Sequence, residues 1–275
     1  MNKVALITGA SAGIGEATAR ALLAEGYKVF AGARRLDRMA GLAAAGATLL
    51  KLDLVDDASI VAAVETIKAD AGRLDILVNN AGYGSYGALE DVPLAEARRQ
   101  FDVNVFGLAR LSQLVLPLMR AQKSGKIVNV SSIGGKIWEP MGSWYHATKF
   151  AVEGLSDCLR VEVQRFGIDV IVIEPGAIRT EWAGIAAEGL RRASGEGAYA
   201  TLAEKHASML DSTETSKLPS PPEAVAKTIV RAVTARRPKT RYPTGGGARS
   251  ILFLKTILPD RLFDRVIWNI SQNWS

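Results

Sequence analysis

Six short apolar runs rich in β-branched residues, at 4–8, 28–33, 48–52, 76–79, 127–130 and 170–173, are separated by segments with a helical period. Ala17, Ala21 and Leu22 share one helical face, as do Ile60, Val64 and Ile67, and Phe101, Val105, Leu108 and Leu111. Strand and helix therefore alternate from the start. Few folds accept that order: it predicts an α/β domain with a parallel sheet, helices on both faces and right-handed crossovers. The strands read as continuous apolar runs, as strands buried on both faces must.

The alternation stops after Ile173. Residues 177–220 are rich in Gly, Ser and Ala, with helical patches at 183–190 and 202–210 and no strand, which predicts a substrate lid. Mobility is expected over 183–217. Ser220-Pro221-Pro222-Glu223 predicts an N-cap, a first-turn proline and a capping-box glutamate for a helix to about Arg236. Residues 240–243 read as a last strand, and the tail at 248–275 as two amphipathic helices around Pro259. With no repeat and no linker, 275 residues are read as one domain.

Composition excludes several classes of function. The single cysteine, Cys158, closes no internal disulfide, and with two histidines, His146 and His206, no imidazole or thiolate metal cluster is expected. Cys158 itself is expected to be buried and inert. The net charge of +6 is concentrated in residues 231–265, which hold nine basic and two acidic residues, but prolines and glycines break up that stretch. Nucleic-acid binding is therefore not expected. No apolar run reaches 18 residues, so no membrane span is expected, although the basic tail could touch a membrane surface. The chain passes directly from Met1-Asn2-Lys3 into a strand, which fits a cytoplasmic protein without a leader.

Two motifs carry chemistry. Thr8-Gly9-Ala10-Ser11-Ala12-Gly13-Ile14-Gly15 lies between the first strand and first helix, where a glycine-rich turn and a helix N-terminus can cradle a phosphate. Its spacing departs from G-x-G-x-x-G, and alone it could be a plain tight turn. The second is Ser132, with Tyr145 thirteen residues later and Lys149 one helical turn beyond. A phenol with a pKa near 10 is a poor acid–base catalyst at neutral pH. An ammonium about 4 Å away contributes on the order of 4 kcal/mol at an effective dielectric near 20, enough to bring the phenol into working range.

Together these residues resemble the short-chain dehydrogenase/reductase family in its compact single-domain form. The glycine turn, Asn79-Asn80-Ala81-Gly82, Asn104, Asn129-Val130-Ser131-Ser132, Tyr145-His146-Ala147-Thr148-Lys149 and Pro175-Gly176-Ala177-Ile178-Arg179-Thr180 occur in the family's order over about residues 3–245. His146 and Thr148 depart from the common pattern. The resemblance implies a Rossmann-like sheet in the order 3-2-1-4-5-6-7. Catalytic roles are implied for Asn104, Ser132, Tyr145 and Lys149: Ser132 polarising a carbonyl, Tyr145 moving the proton, Lys149 lowering the tyrosine pKa and holding the ribose, and Asn104 positioning a relay water. Cofactor contacts are implied for Gly9, Ser11, Gly13, Ile14, Gly15, Arg34, Arg35, Asp53, Asn80, Ala81, Gly82, Tyr145, Lys149, Pro175, Gly176, Ile178 and Thr180. The alternative for Asn80 is to stitch neighbouring strands, and for Ser132 to cap a turn.

The cofactor so implied is NADP(H), preferred over NAD(H), because Ala33 stands where relatives specific for NAD carry an acid, and Arg34 and Arg35 follow it. The substrate side would draw on Tyr83, Gly84, Ser85, Tyr86, Trp138, Glu139, Met141, Trp144 and Trp182, about half of them lining a pocket for a bulky apolar carbonyl or alcohol. The pattern looks most like the 17β-hydroxysteroid-dehydrogenase-like branch. A homodimer or homotetramer is implied through helices at about 94–121 and 145–166. A cofactor-sensing protein without activity would have no need of the Asn–Ser–Tyr–Lys set. A nucleotide-sugar epimerase would usually carry T-G-x-x-G-x-x-G and a larger substrate domain.

Overall fold

The computed structural model describes residues 2–213, 216 and 218–272. Its first half comprises β1 (Val4–Thr8), α1 (Gly13–Ala24), β2 (Lys28–Ala33), α2 (Ala40–Ala44), β3 (Thr48–Lys51), α3 (Asp57–Ala71) and β4 (Ile76–Asn79). There follow α4 (Leu94–Phe101), a π-helical turn over Asp102–Gly107, α5 (Leu108–Gln122), β5 (Gly125–Val130), α6 (Ser143–Val163) and β6 (Ile168–Pro175). The chain continues through α7 (Glu181–Ser194), α8 (Ala200–Asp211), α9 (Pro222–Thr234), β7 (Arg241–Thr244), α10 (Ala248–Ile257) and α11 (Asp260–Gln272).

The seven strands form one parallel sheet in the order β3-β2-β1-β4-β5-β6-β7, the Rossmann-like topology expected from the sequence. Alternation along β1 explains the two layers. Ala5 and Ile7 face a core shared with α1, α2 and α9, whereas Val4 and Leu6 face one shared with α3 and α5. The two sides of β1 therefore bury different helices, and a one-residue slip would exchange them.

Three expectations require correction. The helix expected at about 94–121 is interrupted by the π-helical turn, a feature often found where a helix re-aims a side chain. No capping box starts α9: its N-cap is Pro221, without a side-chain cap. Ser220 is drawn off by a bridge to Ile178, its backbone N–H donating to the Ala177 carbonyl and its own carbonyl accepting from Arg179. Cys158 is exposed, not buried, because it lies on the outward face of α6 with Phe150 and Val161.

The segment expected to be a lid folds as α7 and α8, which bury Ala186, Ala187, Leu190, Ala203, Ala207 and Leu210 around Tyr145 in the first turn of α6. Part of the 183–217 stretch, residues 214, 215 and 217, lies outside the described residues, as does Trp274. The tail forms its two helices on either side of Pro259, with Phe263 and Ile267 packed against Ile137. No helix among the described residues is long and apolar enough to cross a membrane.

An ionic network ties the last strand to the body. Arg241 reaches Glu153 at 3.0 Å, Asp157 at 2.8 Å and Glu174 at 3.6 Å, and Lys136 also meets Glu153 at 3.0 Å. Glu153 and Glu174 are almost wholly buried. Burial, reinforced by Glu153, pushes Glu174 up to about 7 against the pull of Lys136 and Arg241. The folded chain thus holds a proton on Glu174 that the unfolded chain releases above about 4.5, and this group's contribution to stability declines as pH rises from about 4.5 to 7. Removing the guanidinium leaves buried carboxylates undercompensated. Arg241→Met is expected to cost on the order of 3 kcal/mol, measured by denaturant unfolding, with a larger loss at pH 8 than at pH 5.5, where Glu174 is neutral. Equal loss at both pH values would sever the effect from Glu174.

Candidate active site

The site lies where β1, β4, β5 and β6 end. After β1 the chain turns through Gly9 and Gly13, both at positive φ (66° and 56°), into the N-terminus of α1. A Cβ on Gly15 would stand 2.2 Å from the Gly9 carbonyl oxygen, and one on Gly9 would meet Asn80 and Ala81 at 2.9 Å. Only glycine allows this close approach. The N-cap, Ala12, supplies no side-chain hydrogen bond, so the first-turn N–H groups of α1 are left to an external acceptor. This uncapped glycine cradle fits a dinucleotide's phosphates.

The residues after β4 hold that loop in place. The Thr8 hydroxyl accepts from the backbone N–H groups of Asn80 (3.0 Å) and Ala81 (2.9 Å). The Asn80 amide donates to the carbonyls of Thr8 (3.0 Å) and Gly9 (3.4 Å). Asn80 thus stitches the loop, the alternative its sequence left open. Asn79 plays a related part deeper in the sheet, donating to Asn129 on β5 and Ser112 on α5. Beyond β6, Gly176 lies flush against Gly246, Ile178 is buried, and the Thr180 methyl would contact a Cβ on Gly13 at 3.1 Å. The turn 175–180 therefore faces the glycine loop. Arg34 and Arg35 are exposed at the end of β2, where Ala33 provides no carboxylate. Asp53, after β3, uses one carboxylate oxygen to accept from its own Val55 N–H.

The four expected catalytic residues belong to adjoining elements. Ser132 follows β5 and caps the turn beyond it, accepting from Gly134 N–H at 3.0 Å and donating to the Pro175 carbonyl at 3.4 Å. Tyr145 and Lys149 lie one turn apart on α6, both buried, with Lys149 Nζ 5.9 Å from the tyrosine ring centre. Lys149 Nζ donates to the Val130 carbonyl at 2.9 Å. Asn104 projects from the π-helical turn. Its amide donates to the Tyr83 carbonyl (2.9 Å) and the Thr148 hydroxyl (3.1 Å), and its oxygen accepts from Tyr83 N–H (3.1 Å). Asn104 therefore clamps the 81–83 segment to α6.

Electrostatics here differ from the sequence expectation. Burial pushes Tyr145 up to about 12, with Ser132 pulling it down and Glu139 pushing it further up. Lys149 is itself pushed down to about 8 by burial, opposed by Glu153. An ammonium at ring distance and hydrogen-bonded to a carbonyl does not overcome desolvation of the phenol. The expected lowering of the Tyr145 pKa is absent from this arrangement.

Three of the nine expected substrate-side residues gather at Tyr145. The Tyr86 ring lies 5.6 Å from that of Tyr145 and the Trp182 ring 5.1 Å, with Met141 in the same cluster. Trp138 turns away, donating to Asp264 on α11, and Trp144 packs on Phe101. Tyr83 donates to Glu96 at 2.9 Å. Sequence reasoning missed His206, which α8 brings under Tyr86, because a lone histidine on a helix has no motif to announce it.

Comparison with known proteins agrees with this geometry. The family model described as short chain dehydrogenase matches residues 3–189. A probable short-chain type dehydrogenase/reductase, VdlC, of Helicobacter pylori is 35% identical over 261 residues, covering 95% of each chain. An NADPH-dependent 3-dehydrocapnine reductase of Ornithobacterium rhinotracheale is 34% identical over 278 residues, covering 97% of this chain and 96% of that protein. The crystal structure of a short-chain dehydrogenase from Streptomyces avermitilis superposes with a TM-score of 0.81 at 33% identity, over 100% of this chain and 99% of that one. Similar solved structures include complexes with NADP and with NAD. None of these matches singles out the 17β-hydroxysteroid-dehydrogenase-like branch. The glycine cradle, the seven-stranded order and these matches together make the chain a member of the short-chain dehydrogenase/reductase family, an oxidoreductase acting on CH–OH and C=O groups.

Proposed function

We propose that this enzyme is an NADP(H)-dependent oxidoreductase that interconverts a carbonyl and an alcohol on a bulky apolar substrate, with Tyr145 as the general acid and base. The observation that carries this reading is the placement of Tyr145 and Lys149, buried one turn apart on α6, beside Ser132 at the strand ends where the glycine cradle opens. The bound nicotinamide supplies the hydride for reduction or accepts it in oxidation. Gly9, Ser11, Gly13, Ile14 and Gly15 would hold its phosphates. Asp53, Ala81, Gly82, Pro175, Gly176, Ile178 and Thr180 would line its path, and Tyr145 and Lys149 would hold its ribose.

In reduction, Ser132 orients the carbonyl oxygen and Tyr145 donates its proton to that oxygen. A phenol pushed up to about 12 stays protonated across the neutral range, so the acid is always loaded. The phenolate that follows is stabilised by the Ser132 hydroxyl and the Lys149 ammonium. Asn104 acts by fixing the loop and α6 against each other. The walls are aromatic and apolar, supporting a bulky substrate. Phe106, Phe150 and Val161 are exposed large apolar side chains, the latter two on one face of α6, and support pairing of two copies into a homodimer or homotetramer.

Tyr145→Phe is expected to lower kcat for carbonyl reduction by roughly 10²–10⁴-fold, while cofactor binding followed by fluorescence titration stays nearly intact. More than a tenth of wild-type turnover would remove Tyr145 from the proton transfer. The pH profile gives a second check. Reduction should hold steady below about pH 8 and decline above it as Lys149 loses its charge, and a Lys149→Met variant should lack that alkaline limb. A limb that persists in Lys149→Met belongs to another group.

Cofactor choice rests on Ala33 and Arg34. A charge-assisted contact to a 2′-phosphate is worth roughly 1.5–3 kcal/mol, so kcat/KM should favour NADPH over NADH on the order of tenfold to 200-fold. Arg34→Ala should shrink that ratio mainly by raising the KM for NADPH. Equal efficiency with both cofactors in the wild type would overturn the preference.

A further inference from the structure

Helices α10 and α11 each present two unlike faces. The inner faces meet in one cluster, where Phe263 and Ile267 are buried against Ile137, with Ile251, Leu252 and Leu258 packed beside them. The outer faces are wet yet strongly apolar. Phe253 is 66% exposed, Ile257 56%, Trp268 50% and Leu262 45%. With Ile270 these are five of the fourteen exposed large apolar side chains among the described residues, gathered on two short helices. Such a concentration marks a contact surface, whereas single exposed apolar side chains need no explanation.

Arginines share these outer faces. Arg249, Phe253 and Ile257 recur every fourth residue along α10, and Arg261, Arg265 and Trp268 recur at intervals of four and three along α11, so each row lies on one side of its helix. Arg249, Arg261 and Arg265 are exposed and form no ion pair among the described residues. The two acidic residues of the helices are engaged elsewhere. Asp260 pairs with Lys255 at 2.6 Å, and Asp264 accepts from the Trp138 indole at 2.8 Å. Lys255 itself turns inward, 4.4 Å from the centre of the Trp138 ring. The charge left on the outer faces is therefore predominantly that of the three arginines.

This mixture selects among partners. In a two-fold contact with a second copy, the arginines of one face would be brought against those of the other, and like charges opposed across an interface are unfavourable. An anionic lipid surface satisfies both components at once. Its phosphates take the guanidinium groups, whose planar forks suit phosphate oxygens. Aromatic and aliphatic side chains enter the boundary between headgroups and acyl chains, the depth that tryptophan favours. The arginine stems can lie along that apolar layer while their heads stay with the phosphates.

We propose that the outer faces of α10 and α11 dock on an anionic membrane surface, with Phe253, Ile257, Leu262 and Trp268 in the interfacial layer and Arg249, Arg261 and Arg265 on lipid phosphates. The docking is peripheral, since both helices stay packed on Ile137 and no helix among the described residues is long and apolar enough to cross a membrane. It goes beyond the carbonyl-reductase reading and does not depend on it. Together with Trp138 and Pro140, α11 also walls a cavity of about 650 Å³, and the next residue in the chain, Met141, belongs to the cluster around Tyr145. Docking thus holds the aromatic side of the site near the bilayer, where apolar molecules concentrate.

Cosedimentation of the full chain with lipid vesicles tests the docking. Partitioning onto phosphatidylcholine vesicles that contain about a third phosphatidylserine should exceed that onto pure phosphatidylcholine roughly tenfold or more, and should fall about fivefold or more when NaCl is raised from about 0.1 to about 0.5 M. Each basic residue near an anionic surface is worth roughly fivefold in partitioning, so the triple variant Arg249→Gln, Arg261→Gln, Arg265→Gln should lose about tenfold or more. The double variant Phe253→Ser, Trp268→Ser should lose a similar amount with Tm unchanged, because both side chains are at least half exposed. Should the double variant fold poorly, Phe253→Ser alone carries that comparison. Wild-type protein that stays in the supernatant with anionic vesicles, or binds both vesicle types equally, overturns the proposal. Binding lost in the arginine variant but unaltered in the apolar ones is adsorption by charge alone and overturns it too. A self-association in lipid-free solution that disappears in Phe253→Ser assigns the face to a second copy, with the same consequence.

Discussion

The junction between β1 and β4 governs the rest of this structure. There the Thr8 hydroxyl and the Asn80 amide make five hydrogen bonds across the point where the strand order reverses. Those bonds bring the 80–82 segment onto the glycine loop so closely that Gly9 and Gly15 admit no side chain. In an open parallel sheet this reversal is where a crevice forms at the carboxyl ends of the strands. The loop is thus shaped by its protein neighbours before any ligand arrives. Asn80 holds the loop, and Asn104 repeats the device one layer out, clamping Tyr83 to α6.

The same close packing sets the electrostatics. Tyr145 and Lys149 are both desolvated, and desolvation moves them in opposite directions, the phenol toward the neutral acid and the amine toward loss of its charge. A site wet enough to leave Lys149 fully solvated would screen its effect on the phenol. A drier one gives the ammonium more leverage on charge that develops during reaction, at the expense of its own ionisation. The geometry therefore suits stabilisation of a transient phenolate better than a standing one.

Much of this was legible in the sequence, and the exceptions have physical reasons. Strands buried on both faces announce themselves as unbroken apolar runs, so β1, β2 and β4 coincide with their expected bounds. The Ser132, Tyr145 and Lys149 constellation depends on spacing along one strand end and one helix, which sequence preserves. The π-helical turn was not legible, because the apolar period through Phe101, Val105 and Leu108 continues across it while the backbone changes register to deliver Asn104. Cys158 was misread because α6 is apolar on two faces, one toward the sheet and one outward. Ser220 looked like a cap, but its backbone was claimed by a bridge to Ile178, forty-two residues away in sequence.

Helix α7 couples the two halves of the site. At its base Thr180 caps α7 and faces Gly13, Trp182 lies so flat on Gly84 that a Cβ there would stand 2.4 Å from its ring, and Glu181 pairs with Arg38. The ion pair is exposed at both ends and contributes little. The indole, wedged between Gly84 and the rings of Tyr86 and Tyr145, is the stronger restraint. At the far end of α7 the Ser194 hydroxyl accepts from the Ala88 N–H. Displacing α7 as a rigid body would thus disturb the glycine loop and Tyr145 together. From the other side α8 adds to the coupling, because its His206 stacks on Tyr86 and its Lys205 donates to Gln272 of α11.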